Sequence, residues 1–342
     1  YFVSFLLSPK NNYVIIVENK KRTATKSMLL GQNDSIAPDS SCQKHDSSYF
    51  DKIWLEIASI SNDFELSLDP TLRRNTGSYY TGLLLAKRMV DELFETFDQH
   101  FIETLNQKTF LEPCVGTGNF VFAFLRKIYE LDLPLSSVGQ VLNNIYVCDT
   151  NQEALNLYAI LLKKFVSASW GVQLDSDYFS SHVGGGLLYD VTKKDISYIP
   201  INKVFPSEVV KNGFDIIITN PPYKNLKAEK NKFICQKDYE QIKSQYFLIT
   251  KDVKHRFCYS NDGVLNLYKL FVEKILLEYS KENAFISLLV PSTVLSDKTC
   301  EKLRSFILVN HKLYNVSIIR ENNPFINAQQ SLCTLLIKKN KP

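Results

Sequence analysis

No two of the seven cysteines (Cys42, Cys114, Cys148, Cys235, Cys258, Cys300, Cys333) form a Cys-x-x-Cys pair, and their scatter signals neither a zinc site nor a disulfide framework. Reduced thiols in a cytoplasmic protein account for them most simply, and no metal is expected. No apolar run approaches the length that spans a bilayer and no signal peptide is visible, so no membrane partner is expected. Charge of one sign is not in large excess: 40 Lys and Arg stand against 36 Asp and Glu, a net charge of +4. That balance permits a polyanionic partner without demanding one. An initial Met is missing too, and a chain starting at Tyr1 is expected to be a piece of a longer protein. What is present is length and apolar content. With 342 residues, 45% of them hydrophobic and 12% aromatic, the chain can bury a sizeable core, which excludes bulk disorder.

The stretch Asp215-Ile216-Ile217-Ile218-Thr219-Asn220-Pro221-Pro222-Tyr223 organises the rest. Phe214 to Ile218 has the length and branching of a buried parallel strand. Asn220 follows just past its carboxyl end, where open α/β sheets place ligands. Pro221 and Pro222 fix φ and remove two backbone donors. The corner then offers carbonyls, one carboxamide and the ring of Tyr223. It suits a planar substrate carrying an exocyclic amine. The competing reading is a stiff turn after a strand.

Upstream, Phe2 to Leu7 and Tyr13 to Val17 read as a hairpin that runs into Glu18-Asn19-Lys20. Glu-x-Lys is half of a metal-dependent nuclease signature. The Asp that should precede it is absent, which disfavours an active nuclease. Residues 21–48 read as a linker or mobile surface segment, and Tyr49 to Ile60 as a helix. Arg73 to Gly82 leads to a helix over Leu83 to Phe97, with Thr81 as its N-cap. Thr109 to Phe120 reads as strand, glycine turn and helix. Gly116 and Gly118 let backbone approach a ligand closely, but the third glycine of a dinucleotide site is missing, and Glu112 suits an ammonium better than a pyrophosphate. A second strand ends at Asp149, where a ribose diol would be held. A third, Leu187 to Tyr189, ends at Asp190, whose carboxylate would accept from an adenine amine. Each acid alone is more often a turn residue; several strand-end polar groups in order are a stronger signal. A Lys- and Tyr-rich stretch through Lys254 reads as a long loop or a loop with short helices, suited either to a nucleic-acid backbone or to solvent. Helix Leu265–Tyr279, strand Ala284–Val290, helix Ser296–Val309 and two antiparallel strands, Tyr314–Ile319 and Leu332–Lys338, complete an alternating α/β pattern.

From about Arg73 to Lys339 the chain resembles the adenine-specific amino-methylating DNA methyltransferases, in particular the methylase part of type IIG restriction–modification enzymes. The resemblance rests on Gly77-Ser78-Tyr79-Tyr80-Thr81, on Glu112 to Phe120, on Asp149 with Ala154, on Asn220 to Tyr223, on Asn266-Leu267-Tyr268 with Phe271, and on Val290-Pro291-Ser292. Gly82 departs from the proline usual there, and Asp190 lacks its usual preceding glycine. The resemblance implies a Rossmann-like S-adenosylmethionine-dependent fold: a mostly parallel seven-stranded sheet with an antiparallel final strand and helices on both faces. It implies residues 1–48 as hairpin and linker, a possible nuclease-domain remnant, and residues 49–342 as the catalytic domain, with a cofactor half over 73–200 and a catalytic half over 201–342.

By the same resemblance, Tyr79, Tyr80 and Thr81 close over the methionine end of S-adenosylmethionine. Glu112, Gly116, Gly118 and Asn119 hold its amino-acid part, Asp149 its ribose and Asp190 its adenine. Asn220 and the Pro221 carbonyl, stiffened by Pro222, grip the N6 amine of an adenine flipped from double-stranded DNA. Tyr223 stacks on that base and Phe325 covers its other face. A target-recognition domain or subunit is expected elsewhere. The alternatives are a methyltransferase acting on a protein glutamine amide or an RNA base, and a non-catalytic DNA-binding subunit of the same fold.

Overall fold

A computed structural model describes residues 2–7, 13–16, 47–69, 76–77, 79–193, 195–228, 235–320 and 330–340. Glu18-Asn19-Lys20, the linker up to residue 46, Arg73 to Asn75, Ser78 and Phe325 lie outside the described residues. The strands are β1 (Phe2–Leu7), β2 (Tyr13–Ile16), β3 (Phe110–Glu112), β4 (Ile145–Cys148), β5 (Val183–Gly184), β6 (Leu188–Tyr189), β7 (Tyr198–Ile199), β8 (Phe214–Thr219), β9 (Ser280–Pro291), β10 (His311–Ile319) and β11 (Leu332–Lys339). Nine of them form one sheet in the order β2-β1-β10-β11-β9-β8-β3-β4-β5. Pairings from β5 through β4, β3 and β8 to β9 are parallel. β11 is antiparallel to both β9 and β10, so it is the single reversed strand of the seven from β10 to β5. The expected hairpin β1–β2 extends the sheet to nine strands by antiparallel pairing with β10, Phe2 opposite Ile319.

The central strands are apolar on both faces, as fully covered parallel strands must be. Ile216 and Ile218 join one core with Phe110, Val147 and Leu289. Ile217 joins the other with Leu111, Ile286 and Leu288. The longer helices that supply side chains to the first core are α1 (Ser47–Ser67), α2 (Leu83–Phe94), α3 (Asn119–Glu130), α4 (Leu135–Asn143) and α5 (Gln152–Trp170). In α2, Ala86, Met89, Val90 and Leu93 repeat at helical spacing and are buried. The second core is covered by α6 (Gln236–Arg256), α7 (Leu267–Lys274) and α8 (Glu301–Asn310).

The structure corrects the sequence reading at four places. The third strand of the sheet is the two-residue β5, while Leu188–Tyr189 pairs antiparallel with β7 in a separate hairpin. The stretch read as a long loop or a loop with short helices contains one long helix, the 21-residue α6. Only Tyr246, Ile249 and Val253 of that helix are buried, too few apolar positions to reveal its period among the lysines and glutamines. The N-cap of α2 is Gly82 without a side-chain cap bond, because the Thr81 hydroxyl is engaged elsewhere. The helix read over Ser296–Val309 is two 3₁₀ turns followed by α8.

β3 is the strand at which the sheet changes direction of growth: β4 and β5 build outward on one side, β8 and β9 on the other. Crevices outside the carboxyl ends of strands form at such a switch point. Glu112 ends β3 and Asn220 follows β8, so the two expected halves of the site lie side by side.

Candidate active site

The side expected to hold the cofactor is built by the β3–α3 turn. Gly116 has φ +53° and Gly118, the N-cap of α3, has φ +96°, a region that favours glycine. Space forbids a side chain as well: a Cβ on Gly116 would lie 2.7 Å from the Tyr80 ring, and one on Gly118 2.4 Å from the Tyr158 ring. Beyond β4, the Asp149 carboxylate accepts the Gly116 N–H at 2.8 Å and the Asn151 N–H at 2.9 Å. Burial raises its pKa, and these backbone bonds oppose the rise. A carboxylate held this way by backbone N–H groups keeps acceptor capacity, which a ribose diol needs.

Glu112 is 1% exposed and its Oε2 has no hydrogen-bond partner. Burial, and secondly the Asp149 charge, push its pKa well up, while a bond from the Val121 N–H works the other way. The Asn119 side chain donates to the Thr81 carbonyl at 2.7 Å, leaving Asn119 Oδ1 buried and unpartnered. Thr117 Oγ1 is in the same condition. Buried polar atoms are rarely left so unless something else satisfies them. Three orphaned oxygens, those of Glu112, Asn119 and Thr117, beside the Asp149 carboxylate suit a ligand bearing an ammonium, and this is the observation on which the site fits S-adenosylmethionine.

The side expected to be catalytic is the corner after β8. Asn220 Nδ2 donates to the Tyr79 carbonyl at 2.7 Å and to Thr81 Oγ1 at 3.0 Å. Its Oδ1 is buried with no partner. Pro221 is buried and Pro222 half-buried. The Tyr223 backbone N–H donates to the Gly77 carbonyl at 2.9 Å and its hydroxyl to the Leu289 carbonyl at 3.1 Å. The Tyr223 ring stacks on that of Tyr79, centroids 5.8 Å apart and planes at 22°.

One cleft joins the two sides. Tyr79, Tyr80, Thr81, Glu112, Gly116, Asn119, Asp149, Asn220 and Pro222 all line it. Gly118 stands behind it against Tyr158. Asp190 is buried, but its carboxylate accepts the N–H and hydroxyl of Thr192 and faces Lys193 at 3.5 Å. Its neighbours Tyr189, Val191 and Thr192 line the cleft instead. The sequence reading assigned no role to Thr117, Leu187, Tyr189, Leu267 or Phe271, which also line it. Thr117 sits in the glycine turn, and Leu267 and Phe271 in a quoted motif, so those three carried a signal; Leu187 and Tyr189 were masked by the misplaced third strand. Among the described residues no group of His, Cys, Asp and Glu could hold a metal ion, and no helix is long and apolar enough to cross a membrane.

The strand order, the single reversed strand and the cleft at the β3/β8 switch define a Rossmann-like methyltransferase fold, mostly parallel, with helices on both faces. That class implies S-adenosylmethionine as cofactor. A family model of Eco57I restriction-modification methylases matches residues 143–325, and the chain belongs to that family. It is 22% identical over 289 residues to the modification methylase CviBIII of Paramecium bursaria Chlorella virus NC1A, covering 83% of this chain and 55% of the relative. It therefore spans little more than half the length of that curated relative. Among solved structures, the DrdV–DNA complex superposes with a TM-score of 0.59 at 14% identity, over 87% of this chain and 30% of the other. The type IIL restriction-modification enzyme MmeI in complex with DNA gives 0.52 at 15% identity, over 84% and 40%. At such identities these two likenesses speak for the fold alone.

Proposed function

We propose that this chain is the catalytic region of a restriction–modification methylase that transfers a methyl group from S-adenosylmethionine to the N6 amine of adenine in DNA. The observation that carries this reading is the Asn220 carboxamide: its NH₂ is tied to Tyr79 and Thr81, and its Oδ1 is buried, unpartnered and beside two prolines. An acceptor so placed suits an incoming N–H. When bound, the cofactor supplies a methyl group on a sulfonium.

The residues do the rest by positioning. Glu112 and Asn119 hold the ammonium, Asp149 holds the ribose hydroxyls, and Tyr79 and Tyr80 wall the amino-acid end. The role of Asp190 narrows to shaping the turn that brings Tyr189 and Thr192 to the adenine end. The target adenine must leave the duplex, since its amine is otherwise paired. Asn220 Oδ1 and the Pro221 carbonyl each accept one N6 hydrogen, drawing the nitrogen toward tetrahedral geometry and directing its lone pair at the methyl carbon. Fixed dipoles of this kind need little reorganisation during the reaction. Stacking on Tyr223 recovers about 1–3 kcal/mol of the unstacking cost. The partner is double-stranded DNA.

Tritium transfer from labelled S-adenosylmethionine to DNA, RNA and protein, compared between the parent and Asn220→Ala, tests the reading. Transfer to DNA that disappears in Asn220→Ala is expected. An undiminished rate in the variant, or transfer only to RNA or protein, refutes it.

A further inference from the structure

We infer that the segment holding Gly77, Tyr79 and Thr81 is a brace for the catalytic corner, with Thr81 the positioning residue that sets the Asn220 carboxamide. The inference rests on the function proposed above. It moves Thr81 from the cofactor lid to the acceptor site for the target amine.

The contacts run along both stretches. Gly77, at φ +73°, offers its carbonyl to the Tyr223 N–H at 2.9 Å. A Cβ on Gly77 would lie 2.7 Å from the backbone of Tyr223 and Lys224, so only glycine lets the two strands of chain approach. The Tyr79 ring lies on the Tyr223 ring. The Tyr79 carbonyl and the Thr81 hydroxyl take both hydrogens of the Asn220 amide.

The Tyr79 carbonyl oxygen has lone pairs only, so the atom 2.7 Å from it must be the amide nitrogen, and the flip of Asn220 is fixed. Its oxygen is therefore the atom left without a partner. An amide that donates both hydrogens is also polarised into a better acceptor. Thr81 is itself held: it is buried, and its carbonyl takes the Asn119 side-chain N–H at 2.7 Å. One residue thus orients two carboxamides, one from the glycine-turn helix and one from the end of β8, and leaves the oxygen of each open.

Removing the Thr81 hydroxyl strands one buried N–H of Asn220. Leaving such a group unsatisfied corresponds to about a 10–100-fold loss in the step that needs Asn220 in place. Thr81→Val and Thr81→Ser are compared with the parent, in the complete protein, for single-turnover methylation of unmethylated duplex DNA and for S-adenosylmethionine affinity by calorimetry. The brace predicts a rate about 10–100-fold lower in Thr81→Val at saturating cofactor, with affinity within about threefold of the parent, and recovery of most of the rate in Thr81→Ser. A parental rate in Thr81→Val overturns it, and so does a loss confined to cofactor affinity. If Thr81→Val does not fold, Thr81→Ala carries the same comparison. Asn220→Ala run alongside separates the two claims. Its full activity would refute the reading of the site, whereas an inactive Asn220→Ala beside an unimpaired Thr81→Val would refute the brace alone.

Discussion

Glu112→Gln should stabilise the ligand-free protein while abolishing its hold on the cofactor. Glu112 is almost fully buried, one oxygen has no partner, and the Asp149 carboxylate stands close by. A buried charged group left unsatisfied costs at least about 1–3 kcal/mol. Glutamine keeps the shape and the oxygen that faces the Val121 N–H, and it carries no charge. At about 1–2 °C per kcal/mol for a chain of 342 residues, Tm at pH 8 should rise by about 1–6 °C. The sign of the pH dependence follows from the raised pKa. Below the unfolded value, about 4.3, folded and unfolded chains both hold the proton and the stability contribution of Glu112 is fully present. As pH climbs toward the raised folded value, the unfolded chain ionises and the parent loses that contribution. The Tm gap between variant and parent should therefore be smallest below about pH 4 and widen as pH rises. Asp149, also raised, is common to both and largely cancels in the difference. Scanning fluorimetry at several pH values, with and without S-adenosylmethionine, reads all of this. A variant less stable than the parent at pH 8, or a gap that ignores pH, would refute the reasoning.

Three further outcomes are expected. Gly118→Ala should lose about 1–3 kcal/mol in denaturant melts, since its Cβ meets the fully buried Tyr158 and its φ is left-handed. Tyr223→Phe should lose only the bond to Leu289 and keep base stacking, whereas Tyr223→Ala should weaken DNA binding by about 1–3 kcal/mol in a fluorescence titration. Asp215→Ala should lower stability by about 2–4 kcal/mol with cofactor affinity little changed, because its Oδ2 ties the N–H and hydroxyl of Thr109 and the Lys281 ammonium across the amino ends of three strands, far from the cleft.

The parts of the site that could be read from sequence are those where a buried apolar run stops on a polar residue. Phe110 to Glu112, Ile145 to Asp149 and Phe214 to Asn220 are strands covered on both faces, so their ends are marked by the first residue that cannot be buried cheaply. The same cue misled at Leu187 to Asp190, where the apolar run belongs to a small hairpin and the sheet strand beside β4 is too short to register. Helix α6 was hidden because its solvent face is much broader than its buried one. The tie between Thr81 and Asn220 spans 139 residues, and nothing local marks it. Thr81 alone before a helix reads as a cap, and only the fold shows which group takes its hydroxyl.

The central claim concerns which atom receives the methyl group. DNA incubated with the complete protein and S-adenosylmethionine, digested to nucleosides and resolved by mass spectrometry, reports that atom directly. N6-methyldeoxyadenosine that vanishes in Asn220→Ala is the predicted result; methylated cytosine, or unchanged DNA beside methylated RNA or protein, would contradict it.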